Sequence, residues 1–428
     1  MRKMKESGVE WIGKIPISWQ IKKLKYDFEV VSGATPKSTD ERNWDGDICW
    51  VTPADYKTAD KYIHGGNRNL SRTGYTNCNT TIVPIGSIIF SKRAPVGTVA
   101  IAAIPLCTNQ GCLSCIKNAY TSEEYYFYLL SVLTKQFNLC ATGTTFKELS
   151  QSNFLNFKLP APPLSEQYAI AKYLSEKCNK IDACLKKIQS QISTLEDYRK
   201  SIITKAVTKG LNPDVSMKDS RVRWCPSIPS HWNVYNPKAL FTMRDQRAKA
   251  GERQLTASQK YGIVYQDEFM EMESQRVVVV VKDFSILKHV EPGDFVISMR
   301  SFQGGLEYST KRGCISSAYV MLIPNKEKVY PPFYRWFFKS SKYINALQST
   351  TNLIRDGQAM RYKNFAMISL FDIPLEEQKE IADYLDEKCK KIDHLIVLKK
   401  EQFLSLDSYK KSLIFAYVTG KKEVPSHE

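Results

Sequence analysis

PLSEQYAIAKYLSEKCNKIDACLKKIQSQISTLEDYRKSIITKAVT, residues 163–208, decides how the rest of this 428-residue chain is parsed. The chain writes it again 211 residues later as PLEEQKEIADYLDEKCKKIDHLIVLKKEQFLSLDSYKKSLIFAYVT, residues 374–419, with 22 identities in 46 ungapped positions. A long internal repeat sets the architecture before any single motif does. Leu174, Cys178, Ile181, Leu185, Ile188, Ile192 and Leu195 step by four and three, the a/d spacing of a coiled-coil seam. Arg199 interrupts that phase. The second copy keeps it at Leu385, Cys389, Ile392, Ile396, Phe403, Leu406 and Leu413, with Lys399 and Lys410 as polar breaks. Each stretch opens on a proline followed by acidic residues, which suits the positive end of a helix. A helix of this length is a rod of about 65 Å. So narrow an apolar stripe needs a partner, and the other copy is the nearest one.

Charge separates these rods from what lies between them. Residues 165–208 carry eight Lys/Arg and five Asp/Glu, and residues 376–419 carry eight and nine, a joint net of +2. That leaves +15 of the chain's +17 on the remainder. A basic surplus on globular parts points to a polyanion, nucleic acid foremost. The apolar run Val277 to Val281 is far too short to cross a bilayer. MRKMKESGVEW shows no signal-peptide core, and eleven cysteines fall in no disulfide framework, so a reducing cytoplasm is expected.

The repeat extends beyond the rods. SGVEWIGKIPISW near the N-terminus returns as SRVRWCPSIPSHW at 220–232, matching Trp11/Trp224, Ile15/Ile228, Pro16/Pro229 and Trp19/Trp232. Two tryptophans around Ile-Pro predict a strap (7–19 and 220–232) pinned to the domain that follows. Residues 20–158 read as α/β, with strands in DGDICWV, TIVPIGSIIFS and VAIAAI and a helix over 121–137. Residues 233–369 offer strands in RVVVVVKDF, PGDFVISM and CISSAYVMLI and a helix over 331–347. The expected domains are therefore 1–160, 161–210 (first helical spacer), 211–370 and 371–428 (second spacer and tail). The two globular domains share little sequence. Their clearest common landmark aligns Gly86/Gly293, Ser91/Ser298, Arg93/Arg300 and Gly97/Gly304.

Catalytic motifs fail on inspection. GVEWIGKI at 8–15 approaches a phosphate loop, but Ile15 stands where a Ser or Thr would hold magnesium. Tyr330-Pro331-Pro332-Phe333 lacks the leading Asn or Asp of an amino-methyltransferase tetrapeptide, and no Gly-rich cofactor loop accompanies it. No nuclease-like carboxylate set is found. Cys107, Cys112 and Cys115 have no second ligand pair at zinc spacing, so no metal is expected.

The order strap, variable domain, PLSEQ-type helix, strap, variable domain, PLEEQ-type helix resembles the specificity subunit of type I restriction-modification systems. LPAPPLSEQYAIAKYL, DIPLEEQKEIADYLDEKCKKIDHLI, SGATPKSTDERNWDGDICWVTPADY, KRAPVGTVAI and ATGTTFKEL carry the resemblance. NLIRDGQAM departs from the TGTT-like pattern in the second domain. The resemblance implies two α/β (α+β) target recognition domains, separated and joined by two long helices that form an antiparallel coiled coil, with an internal pseudo-twofold. It implies a non-catalytic, bacterial or archaeal cytoplasmic chain in which each domain reads half of a bipartite double-stranded DNA site and the helices set the spacing. Two modification (methyltransferase) subunits and motor-nuclease restriction subunits are the implied partners. S-adenosylmethionine, ATP and magnesium belong to those partners, and this chain itself carries no cofactor. The alternative is a nucleic-acid-modifying enzyme with an unrecognised active site. Groove readers and phosphate clamps are expected among Thr35, Lys37, Arg42, Trp44, Lys92, Arg93, Thr144, Thr145 and Lys147 in the first domain. In the second they are Arg244, Arg247, Arg300, Arg355 and Arg361.

Overall fold

The computed structural model describes residues 2–55, 61–93, 95–141, 147–273, 284–299, 301–350 and 360–425. Two compact units emerge: Met1–Gln189 with Glu401–Glu428, and Ser190–Lys400. The cuts fall inside the two long helices, Leu164–Lys209 (46 residues) and Leu375–Val418 (44 residues). Gln189 and Lys400 lie 211 residues apart, the offset of the sequence repeat. Each unit therefore combines a globular domain, the N-terminal half of its own helix and the C-terminal half of the other.

In the first unit a five-stranded sheet runs Phe28–Ser32, Cys112–Lys117, Ile88–Ser91, Val99–Ala102 and Tyr62–Ile63, in that spatial order. Its pairs are antiparallel except the last. Ile88, Phe90 and Leu113 bury one face against a core that includes Trp19, Tyr125 and Phe137. Ile89, Ala100 and Cys112 bury the other against a second cluster. The central strands are thus covered on both sides, which explains their near-continuous apolar runs. Trp44–Val51 forms a second, three-stranded sheet between Cys107–Thr108 and Arg68–Leu70. The chain enters and leaves through one antiparallel pair, Gln20–Lys23 with Lys158–Ala161. The helix expected over 121–137 is two, Glu123–Ser131 and Thr134–Cys140. Ser131 Oγ donates to the Tyr128 carbonyl at the break (2.8 Å), an alternative partner for a helix-ending backbone group.

The second unit has its own four-stranded sheet, ordered Phe241–Met243, Val320–Pro324, Phe295–Ile297 and Glu307–Tyr308. Its entry and exit pair is Asn233–Tyr235 with Leu370–Asp372. CISSAYVMLI supplies two strands rather than one, Gly313–Ile315 and Val320–Pro324, which belong to different sheets. Most of RVVVVVKDF lies outside the described residues. The helix expected over 331–347 also divides, into Pro331–Phe337 and Ser341–Ser349. Here Ser340 Oγ donates to the Phe337 carbonyl (2.7 Å). The same device breaks the helix in both units.

The straps and the helix starts lock together. Trp19 and Trp232 are fully buried. Their indole N–H groups donate to Glu166 (2.7 Å) and Glu377 (2.9 Å), the glutamates of PLSEQ and PLEEQ. Gln167 accepts from the Ser122 amide (2.9 Å) and donates to the Pro162 carbonyl (3.0 Å). Gln378 does the same with the Tyr330 amide (2.8 Å) and the Ile373 carbonyl (2.7 Å). Ser122 and Tyr330 are N-caps of the domain helices, so each glutamine ties a long helix to its neighbour's start. Backbone donors that a helix N-terminus leaves orphaned are satisfied there.

The seam residues Leu174, Cys178, Leu185, Ile188, Ile192, Leu385, Cys389, Ile392, Ile396 and Leu413 are buried. Ile181, Leu195, Phe403 and Leu406 are half-buried. In the first unit Asp182 takes both oxygens to Lys410 Nζ (2.6 and 2.8 Å), and the Tyr173 and Tyr417 hydroxyls meet at 3.2 Å. In the second, Arg199 Nε pairs with Asp393 at 2.8 Å. Higher numbers on one helix meet lower numbers on the other in both units, so the strands of the seam are antiparallel. Asp182 and Asp393 are repeat equivalents, as are Arg199 and Lys410. Two of the three interruptions of the stripe, Arg199 and Lys410, are thus one ion pair used twice with its helices exchanged.

Candidate nucleic-acid interface

In the first unit, the loop 33–43 rests on fixed supports. The Ala34 amide donates to the Thr108 carbonyl (2.9 Å), Trp50 Nε1 to the Ala34 carbonyl (3.1 Å) and Asn43 Nδ2 to the Lys37 carbonyl (3.1 Å). Thr35 and Lys37 are exposed on it, with the Thr35 hydroxyl bonded to Gln110. Arg42 is exposed and forked onto Asp40 (2.9 and 2.8 Å). That side-chain hydrogen bond holds the Asp40 carboxyl down at about 2. Trp44 corrects the sequence expectation. It is buried at 5% exposure, edge-on to Trp50 at 5.1 Å, and cannot insert into a groove. Its indole instead carries the exposed guanidinium of Arg68, 3.8 Å above the ring. Arg68 is a candidate that the sequence did not disclose, because Arg68–Leu70 becomes Trp44's neighbour only through sheet pairing.

Lys92 and Arg93 come together around Glu148, the chain neighbour of Lys147. Lys92 Nζ lies 3.2 Å and Arg93 Nε 3.0 Å from its carboxylate. Arg93 and Lys147 are exposed, whereas the Lys92 side chain is only 14% exposed. Thr144 and Thr145 lie outside the described residues.

In the second unit Arg244 is also corrected. Its guanidinium is 12% exposed and forked onto the buried Asp294 (2.7 and 2.8 Å). That geometry makes it a structural ion pair: freeing it would leave Asp294 buried and unpaired. Arg247 is exposed and donates to the Ile286 carbonyl (3.0 Å). Arg361 is exposed at the start of the helix Tyr362–Ala366. Arg300 and Arg355 lie outside the described residues. A cluster that sequence reasoning missed surrounds Tyr265, with Arg253 3.6 Å and Lys311 5.2 Å from its ring centroid. Its members come from a hairpin and two loops, a grouping without periodicity to announce it.

Comparisons with known proteins place these features. Residues 16–194 match the family model described as type I restriction modification DNA specificity domain. The type I restriction enzyme MjaIX specificity subunit of Methanocaldococcus jannaschii is 40% identical over 167 residues, 38% of this chain and 39% of that one. The putative MjaX specificity subunit of the same organism is 27% identical over 436 residues, 96% of each. This chain is thus similar to the type I DNA specificity domain over residues 16–194, and to a specificity subunit over nearly its whole length. The MjaIX alignment spans well under half of that relative, whereas the MjaX alignment spans nearly all of its protein. A chain solved in work on complex assembly and conformational transition of a type I R-M system covers 94% of this chain and 98% of its own, with TM-score 0.69 and 14% identity. The HsdS subunit from Thermoanaerobacter tengcongensis covers 95% and 98% at TM-score 0.50 and 15% identity. These two likenesses establish the fold.

Cys107, Cys112 and Cys115 are buried in the first unit's sheets. No group of three or more potential ligands among the described residues could hold a metal. No helix of the described residues is long and apolar enough to cross a membrane.

Proposed function

We propose that this chain is the DNA-reading, non-catalytic subunit of a type I complex, each globular unit reading one half of a two-part site. The observation that carries this is the division of labour within the repeat. Contacts that seat the helices are duplicated residue for residue, down to the Trp–Glu and Asp–Lys/Arg pairs, while the exposed basic loops of the two domains differ. A duplicated frame with unlike basic surfaces suits a reader of two unlike half-sites. Lys37, Arg42, Arg68, Arg93 and Lys147 serve the first, and Arg247, Arg253, Lys311 and Arg361 the second. Phosphate contacts position each unit, and base-edge contacts then discriminate sequence. The long helices set the distance between half-sites and dock methyltransferase subunits, which a motor-nuclease subunit joins. Those partners supply S-adenosylmethionine, ATP and magnesium chemistry.

The test uses the purified full chain with DNA and S-adenosylmethionine, alone and with a methyltransferase subunit of the same system. Methylation at a two-part site only in the mixture is the expected result. Methyl transfer or cleavage by the chain alone would overturn the assignment.

A further inference from the structure

One cleft of about 460 Å³ lies wholly within the second unit, between the last turns of the helix Leu164–Lys209 and the start of Ser341–Ser349. Lys200, Lys205, Lys209 and Lys342 line it, together with Asp197 and the hydroxyls of Ser201 and Thr204. Thr204 Oγ1 and Ser341 Oγ are hydrogen-bonded at 3.0 Å across it. Lys200 is paired with Asp197 (3.2 Å), but Lys205, Lys209 and Lys342 have no carboxylate partner among the described residues. Asp197 offsets only one of the four ammoniums that line the cleft; the remaining like charges repel one another, and an anion drawn in removes that cost.

The repeat supplies an internal control. At the equivalent positions Phe415 replaces Thr204, Ala416 replaces Lys205 and Gly420 replaces Lys209, while Ile203/Ile414, Val207/Val418 and Thr208/Thr419 are kept. Phe415 stands 6.4 Å from Trp11 in the first unit. Of the helix positions that line the cleft, Lys200, Ser201 and Thr208 recur as Lys411, Ser412 and Thr419, whereas Thr204, Lys205 and Lys209 do not, so packing of the helix does not require Lys205 or Lys209.

We propose that this cleft clamps backbone phosphates of the DNA, giving the second unit a sequence-independent anchor that the first lacks. It rests on the DNA-reading function above and assigns the helix itself a share of the contact. Lysine ammoniums with hydroxyl donors suit phosphodiester oxygens, and an open cleft admits a continuous strand.

The experiment compares the full-length chain with a Lys205→Gln/Lys209→Gln/Lys342→Gln variant and a Lys421→Gln/Lys422→Gln control, titrated with linear double-stranded DNA over a range of salt. The triple variant should lower the slope of log affinity against log salt by about 2–3, near 0.9 for each phosphate released, with the control unchanged. In a parallel acetylation footprint, DNA should shield Lys205 and Lys209 while inorganic phosphate does not. A wild-type chain without salt-dependent DNA affinity would overturn the DNA-reading function and the clamp together. A triple variant that binds like wild type, an equal loss in the control, or equal shielding by inorganic phosphate would overturn the clamp alone.

Discussion

Glu377 accepts from both Trp232 Nε1 (2.9 Å) and His231 Nε2 (2.8 Å), and Glu166 from Trp19 Nε1 and Arg2, so each carboxylate closes a strap onto a helix start. Replacing Glu166 or Glu377 by Ala should leave a fully buried indole N–H unpaired and cost about 1–3 kcal/mol, read as a lowered urea midpoint. Gly210 and Gly420 end the long helices at φ +72° and +71°. A Cβ on Gly420 would run into Pro16 and Trp19, so Gly420→Ala should also destabilise, by about 1–2 kcal/mol from the left-handed backbone alone. Cys178 and Cys389 are pushed up to about 11 by burial in the seam. A folded-state pKa above the unfolded one stabilises the fold fully below the unfolded value and is lost as pH rises through the folded value. Stability should therefore fall between about pH 9 and 11, and Cys178→Ala/Cys389→Ala should flatten that part of a pH-dependent unfolding curve. At this scale the sequence shows residue types and not their partners. Arg244 looks like any exposed arginine until Asp294, fifty residues on, closes over it. Trp44 looks like an intercalating aromatic until Trp50 and Arg68 cover its two sides.

Elements were legible where a period runs long enough to be heard. The stretch 163–208 foretells the helix Leu164–Lys209 to within a residue, because an a/d run from Leu174 to Leu195 inside a 46-position repeat outweighs any local preference. The helices expected over 121–137 and 331–347 each break once, where a serine hydroxyl takes a carbonyl and aromatic packing sets a new direction. No periodicity records such a turn. The polar breaks in the seam were visible but not their meaning, since Asp182–Lys410 and Arg199–Asp393 become pairs only when the helices lie antiparallel. A charged pair in an apolar seam specifies register more than it adds stability. Asp182→Lys should weaken folding by leaving two ammonium groups face to face. The double variant Asp182→Lys/Lys410→Asp should recover most of the loss, and a denaturant double-mutant cycle measures it. Failure of the reversal to restore stability would show that the pair does not set register.

The whole molecule is a duplicated frame whose halves exchange helix ends, as the unit boundaries at Gln189/Ser190 and Lys400/Glu401 record. Those boundaries are repeat equivalents, so length added at one can be matched at the other without disturbing either globular core. Inserting one heptad after Gln189 and another after Lys400 preserves the 3.5-residue phase of the seam on both helices. Each insertion lengthens its helix by about 10 Å. Base pairs rise about 3.4 Å along a strand, so the spacer between half-sites should grow by up to about three base pairs. The bases read on either side should not change, because Thr35, Arg42, Arg93, Arg247 and Arg361 all lie in globular parts away from the insertions. Methylation mapping of the reconstituted complex gives both quantities at once. An altered spacer with unaltered half-sites assigns distance to the helices and sequence to the loops. An unaltered spacer would strip the helices of the measuring role and leave them as docking surfaces alone.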